Sequence, residues 1–175
     1  MVVSVLAIDP GTRESGWVLF DGKSVSNSGV QRNEDVLAMI SGWRDRDTRL
    51  ATEVFQAMGM AVGAEVFETC IWIGRFVQAW HTPGEVLRIK RTQVKLQLCG
   101  TARAKDANVR QALIDAVGAP GTKANPGPTY GVKSHAWSAL AVAVTAQDQL
   151  GDGWHGTLFG DRPAARQSPE VAIAF

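Results

Sequence analysis

Val5-Leu-Ala-Ile-Asp9-Pro-Gly-Thr-Arg-Glu-Ser-Gly16-Trp-Val-Leu-Phe20 is the stretch on which the fold of this chain turns. An apolar run closes on one carboxylate, a Gly-bearing turn follows, and a second apolar run begins. The pattern predicts a β-hairpin that presents Asp9 at the end of a buried strand. A carboxylate there is costly to desolvate unless a cation or a donor meets it, which suits a metal ligand. The competing reading is an Asp that caps the following turn through its own backbone.

Outward from the hairpin, Asp21-Gly22 predicts a tight turn into a third antiparallel strand, Ser24 to Gln31. Asn33 is placed to cap a helix with Glu34 and Asp35 in its first turn and Val36, Met39, Ile40 and Trp43 along one face. Leu50 to Phe55 reads as a strand carrying Glu53 among strand formers. Residues 60 to 80 form the strongest helix. Val62, Val66, Ile73 and Val77 repeat along one face, and Phe67, Cys70, Ile71 and Gly74 widen it. So broad an apolar girth predicts burial on two sides, one against the sheet and one available to a second subunit. Val86 to Ile89 is a further strand, followed by a basic helix, Thr92 to Leu98. A helix from Ala107 to Val117, capped by Asp106, and a last helix, Ser134 to Gln147, complete the order. The Gly- and Pro-rich residues 119 to 132 read as a mobile loop near the site.

This order predicts an α/β fold, a mixed five-stranded sheet with helices on both faces. The 175 residues suit one domain, residues 1–150, with a C-terminal tail over 151–175 that frays. A soluble composition, no apolar stretch of membrane-spanning length and no signal-like leader imply a cytoplasmic protein, which would be the host cytoplasm for a phage-encoded chain. Cys70 and Cys99 form no Cys-x-x-Cys pair and are read as buried thiols.

The formal net charge of +1 hides an asymmetry. Residues 86–133 carry nine Lys or Arg against Asp106 and Asp115, while both flanks are net acidic. Basicity gathered in one segment fits a face that meets a polyanion, and a solvated surface would also account for it. Lys90, Arg91, Lys95, Arg103, Lys105 and Arg110 are the candidate phosphate contacts. Such contacts position DNA without reading its sequence.

The strand ends bearing Asp9 and Glu53 can lie side by side at the centre of such a sheet. Two carboxylates so placed repel unless divalent cations bridge them, and a side chain from the last helix would complete a metal site. Hard carboxylate oxygens suit Mg²⁺ or Mn²⁺. Two ions roughly 4 Å apart are the arrangement used for phosphodiester hydrolysis. Each residue also has a plainer reading. Glu53 could pair with a basic side chain, His135 could be satisfied by backbone at a helix start, and Asp106 is an N-cap before it is a ligand.

Leu6-Ala-Ile-Asp-Pro-Gly-Thr12 with Gly16, Thr52-Glu53-Val54, Gly59-Met-Ala-Val-Gly63, Ala102 to Asp115 and Ser134-His-Ala-Trp-Ser-Ala-Leu-Ala141 occur in this order. On these segments the chain resembles the RuvC-type Holliday junction resolvases of the RNase H-like superfamily, their bacteriophage branch above all. The resemblance spans residues 3 to 148. It implies a homodimer that cuts two opposing strands of branched DNA, four-way junctions in particular, by metal-dependent hydrolysis. It makes Asp9 and Glu53 the first and second catalytic carboxylates. His135 stands at the third acidic position, where some members use His, and Ser138 stands where a final Asp is usual. Asp9, Glu53 and His135 are then the metal ligands, and Ser138, unable to supply an anion, leaves room for Asp106 or a water.

Three rivals remain at this stage. An actin-like or sugar-kinase ATPase shares a loop like Asp9 to Gly16 but needs a second domain and a Gly-rich adenosine segment, so no nucleotide cofactor is expected. A non-cleaving binder of branched DNA would keep the basic segment and lose the chemistry at Ser138. An RNase H-type nuclease acting on RNA–DNA hybrids would use the same acidic residues.

Overall fold

The computed structural model describes residues 3–151 apart from Met58 and Met60. Its sheet is built from β1 (Val5–Asp9), β2 (Glu14–Phe20), β3 (Val25–Arg32), β4 (Arg49–Val54) and β5 (Leu87–Lys90), in the order β3-β2-β1-β4-β5. The meander β1 to β3 is antiparallel, whereas β4 and β5 run parallel to β1. Around the sheet lie α1 (Asn33–Gly42), α2 (Ala64–Ala79), α3 (Arg91–Cys99), α4 (Asp106–Val117) and α5 (Ala136–Gln149).

β1 is the central strand, and its uninterrupted apolar run is what a strand covered on both faces requires. Val5 and Ala7 face one way and Leu6 and Ile8 the other. The first pair packs with Val18, Phe20, Ala51 and Ile89 under α3, α4 and α5; the second packs with Trp17 and Leu50 under α1 and α2. The expected mixed five-stranded sheet with a helical layer on each face is therefore the observed architecture. The small residues of α5, Ala139, Ala141, Ala143 and Ala146, let it lie flat against β1 and β2 while Val94, Leu98, Val109 and Leu113 of α3 and α4 close over it. Thr145 is satisfied within α5 by donating to the Ala141 carbonyl.

Several local expectations are corrected. Asn33 is the first residue of α1 and not its cap; its buried side chain instead accepts from Ser15 Oγ at 2.6 Å and donates to the Gly11 carbonyl at 2.9 Å. Asp106 likewise begins α4 and does not cap it, because Lys105 holds the N-cap position and donates its backbone N–H to Asn108 Oδ1. α2 turns Trp72 and Phe76 to the core, leaving Phe67 60% and Ile71 56% exposed. Cys70 is exposed as well and Cys99 half-buried, both as free thiols.

Residues 119–132 close on themselves through a Gly121–Pro126 bridge and dock by the Pro128 carbonyl on Val25 N–H, with Thr129 and Val132 buried. Val25 pairs with Phe20, which pairs with Val5. The loop is thus anchored at the end of the sheet away from Asp9. The expected tail, 151–175, lies outside the described residues apart from Gly151. Among the described residues no helix is long and apolar enough to cross a membrane.

Candidate active site

The parallel pairing of β1 with β4 ends at Ile8 opposite Thr52, so the next residues, Asp9 and Glu53, emerge together at the carboxyl ends of adjacent central strands. In sheets with parallel strands this edge is where ligands bind. β5 pairs Glu53 with Ile89 and Val54 with Lys90, which delivers Arg91, the first residue of α3, to the same edge. The start of α5 supplies the remaining side chains. Ser134, with a left-handed φ of 45°, turns the chain into His135 and the helix. β2 admits that turn because Gly16 has no side chain. A Cβ there would sit 2.5 Å from the His135 carbonyl carbon and oxygen.

His135 Nδ1 lies 3.2 Å from Asp9 Oδ2. Asp9 is largely buried, and burial raises its pKa above the ordinary aspartate value even though His135, Arg91 and a Ser138 hydrogen bond pull the other way. Glu53 is pushed up to about 7 by burial and by the nearby Asp9 charge, with Arg91 opposing. Arg91 Nη1 lies 3.3 Å from Glu53 Oε2 while its Nη2 donates to Asp106 Oδ1 at 2.6 Å. That bond is the leading reason the Asp106 carboxyl falls below the usual range, and Lys95 Nζ stands 4.0 Å away. Glu53 is therefore the partner of a basic side chain, the plainer of its two readings.

Two carboxylates whose burial disfavours their charge, beside an imidazole, are a donor set of hard oxygens and one nitrogen that fits a divalent cation such as Mg²⁺ or Mn²⁺. Asp9, Glu53 and His135 are the residues that would hold it. Among the described residues no three His, Cys, Asp or Glu side chains are drawn close enough to ligate one as they stand, and Glu53 is paired with Arg91.

A cleft of about 900 Å³ opens over Asp9 and His135, walled by the Pro10–Glu14 loop, Arg32, Trp72, Arg91 and Ser138. The Ser15–Asn33 pair beneath Gly11 pins that loop. A smaller cavity of about 270 Å³ adjoins it, with Asp106, Arg110 and Trp137 beyond the shared Arg91, His135 and Ser138.

The structure distributes the six basic candidates unevenly. Lys90, Arg103 and Lys105 are exposed, Lys95 is half-buried against Asp106, and Arg110 stacks 4.8 Å over the Trp137 ring. Arg91 stands inside the site, held by two carboxylates. Arg13 and Arg32 also line the cleft, and reading the basic segment alone missed both. Their signal was Arg13 lying within the Asp9–Gly16 loop. Arg32 pairs with Glu34 only at 3.6 Å on an open surface, a contact that constrains it little.

No family model matches this chain, and no curated protein does. Among solved structures it is similar to Thermus thermophilus RuvC, with 23% identity and a TM-score of 0.59 over 85% of this chain and 96% of that one. It is similar also to T. thermophilus RuvC in complex with a Holliday junction substrate, with 21% identity and a TM-score of 0.61 over 87% and 97%. With its five-stranded mixed sheet and flanking helices, the chain has the RNase H-like fold of RuvC.

Proposed function

We propose that this protein is a structure-selective endonuclease that resolves Holliday junctions and other branched DNA by metal-dependent phosphodiester hydrolysis. The observation that carries the reading is the convergence of Asp9, Glu53 and His135 from β1, β4 and the start of α5 at one end of an RNase H-like sheet. Support for the substrate comes from the basic side chains around the cleft and from the similarity to a RuvC bound to a Holliday junction.

Asp9, Glu53 and His135 would hold the Mg²⁺ or Mn²⁺, two ions in the full site, and bound metal supplies an activated water and charge stabilisation at the leaving 3′ oxygen. Ser138 lines the cleft with Asp9, and its hydroxyl favours the ionised carboxylate there. His135, 69% exposed at the side chain, is open to the cleft as a ligand or proton acceptor. Lys90, Lys95, Arg103, Lys105 and Arg110, with Arg13 and Arg32, would grip phosphates and read branch shape more than base sequence. The protein acts as a homodimer in the cytoplasm, with α2 at the dimer seam, because Phe67 and Ile71 are large apolar side chains left in the open.

The test is an end-labelled synthetic four-way junction incubated with Mg²⁺, Mn²⁺ or EDTA, with a flap and an RNA–DNA hybrid alongside. Paired symmetric nicks that need metal and vanish in Asp9→Asn and Glu53→Gln support the reading. Junction binding without cutting in either metal would favour a non-cleaving binder, which Ser138 at a usual Asp position makes the second reading. Preferential hydrolysis of the hybrid would overturn the junction assignment.

A further inference from the structure

We infer that Arg91 is an internal latch on the site: its guanidinium stands in for metal at Glu53 when the site is empty, and Asp106 holds it aside when the site is charged. The inference rests on the metal-dependent reading above and adds a control element to it.

The geometry is that of one cation shared by two unequal partners. Nη1 reaches Glu53 Oε2 at 3.3 Å and Nη2 reaches Asp106 Oδ1 at 2.6 Å. The long arm engages a Glu53 side chain that is only 20% exposed. The short arm engages an Asp106 side chain 79% exposed at the start of α4. A buried carboxylate beside a second one, Asp9, needs a positive charge nearby. Among the described residues Arg91 is the basic side chain ion-paired to Glu53.

The same contact competes with ligation. Nη1 occupies one lone pair of Glu53 Oε2, and a fixed positive charge beside a cation site opposes its filling. Arg91 has somewhere to go. Its stronger bond is to Asp106, outside the acidic pair, and it lines both the main cleft and the smaller cavity beside it. Releasing the 3.3 Å contact while keeping the 2.6 Å one swings the guanidinium from the acidic pair toward the smaller cavity, where a DNA phosphate could take up the freed N–H groups. Asp106 is then a positioning residue: it keeps Arg91 poised and gives it a resting place. This role also accounts for an acid within the basic segment that neither caps α4 nor touches Asp9 or Glu53.

The test is Mn²⁺ binding to the full chain without DNA, followed by electron paramagnetic resonance and calorimetry, for wild type, Arg91→Gln, Arg91→Lys and Asp106→Asn, each with Asp9 intact and again with Asp9→Asn. A latch predicts Mn²⁺ binding on the order of tenfold tighter in Arg91→Gln. Arg91→Lys, a point charge without the two-armed fork, falls between Arg91→Gln and wild type. Asp106→Asn weakens binding several-fold, because Arg91 is left to Glu53 alone. Binding that depends on Asp9 but is unchanged or weaker in Arg91→Gln overturns the latch and leaves the metal site standing. Mn²⁺ binding indifferent to Asp9→Asn throughout removes the metal-site reading and the latch together. Circular dichroism melts of Arg91→Gln, beside Arg91→Lys, which keeps the charge, separate a folding defect in Arg91→Gln from a loss of the latch.

Discussion

His135 Nδ1 and Asp9 Oδ2 meet at 3.2 Å across a sequence separation of 126 residues, joining the first strand to the last helix. The contact ties a largely buried carboxylate to an exposed imidazole, so the two respond differently to mutation. His135→Ala removes a solvent-facing ring and is expected to leave the melting temperature within a few degrees of wild type. Junction cleavage should fall by about a hundredfold or more, the low end for loss of a ligand or general base. His135→Asp, which restores a hard anionic donor, should recover much of the rate. Single-turnover cleavage beside thermal melts checks both; equal losses of stability and rate would assign His135 a structural role.

Glu53 makes the metal-free protein sensitive to pH. Its carboxyl is raised from 4.5 to about 7, so the folded state binds its proton more tightly than the unfolded chain does. The stability this contributes is fully present below the unfolded value, and is lost as pH rises through about 7. At about 1.4 kcal/mol per pKa unit, the full swing is roughly 3 kcal/mol. Asp9 shifts the same way and Asp106 the opposite way, so the quantity to measure is the difference between wild type and Glu53→Gln. Urea unfolding in EDTA should show Glu53→Gln gaining on wild type between pH 5 and 8. Parallel pH profiles would mean Arg91 neutralises Glu53 completely.

Gly16 sets how closely α5 approaches β2. A methyl group there meets the His135 backbone at 2.5 Å and cannot be absorbed by a flexible side chain. Gly16→Ala is expected to cost about 1–3 kcal/mol by overpacking, and to displace His135 and Ser138 from Asp9. Cleavage should therefore fall further than stability alone explains, by tenfold or more at temperatures where the variant is fully folded. An active, stable Gly16→Ala would show that the start of α5 can retreat without penalty.

Ser138 lines the cleft with Asp9 and favours its ionised carboxylate. Ser138→Asp places a third carboxylate in the site, and is expected to tighten Mn²⁺ binding and raise the cleavage rate several-fold at limiting metal. In EDTA the same change should destabilise, since like charges gather without a cation. Metal titration of cleavage and melts with and without Mn²⁺ read the two effects. A Ser138→Asp variant with no gain at any metal concentration would show that the serine is already matched to this site.

Asn33 is a buried polar side chain whose value lies in the loop it fastens. Asn33→Ala leaves Ser15 Oγ without its acceptor and frees the Gly11 carbonyl, an expected loss of about 1–3 kcal/mol. Because the fastened loop carries the wall next to Asp9, cleavage should also drop, and hydrogen exchange of residues 11–15 should quicken. Unchanged exchange there would place the loop's order elsewhere.

The sequence by itself determined the central strand, the acid at its end and the helix that crosses it. An uninterrupted apolar run ending in Asp9 has few homes besides the middle of a covered sheet, and an Ala-rich helix after Ser134 has few partners besides that sheet. Local spacing decides such elements because burial on both faces leaves one pattern of side chains acceptable. What the tertiary structure decided are contacts between residues far apart in sequence. Glu53, Arg91 and Asp106 meet only because β4 and β5 pair in parallel and α4 returns to their common edge. Arg91, one base among nine in its segment, carried no local mark of that place. α2 was apolar round most of its girth, so periodicity could not choose its inward face. Packing chose Trp72 and Phe76, whose rings fill the space over Leu6, Ile8 and Leu50, and left Phe67 and Ile71 outside. Asn33 and Asp106 show the same division. Each stands at a helix start, where local rules assign a cap, yet the groups nearest in space, Gly11 with Ser15 and Arg91, offered better hydrogen bonds than the helix end did.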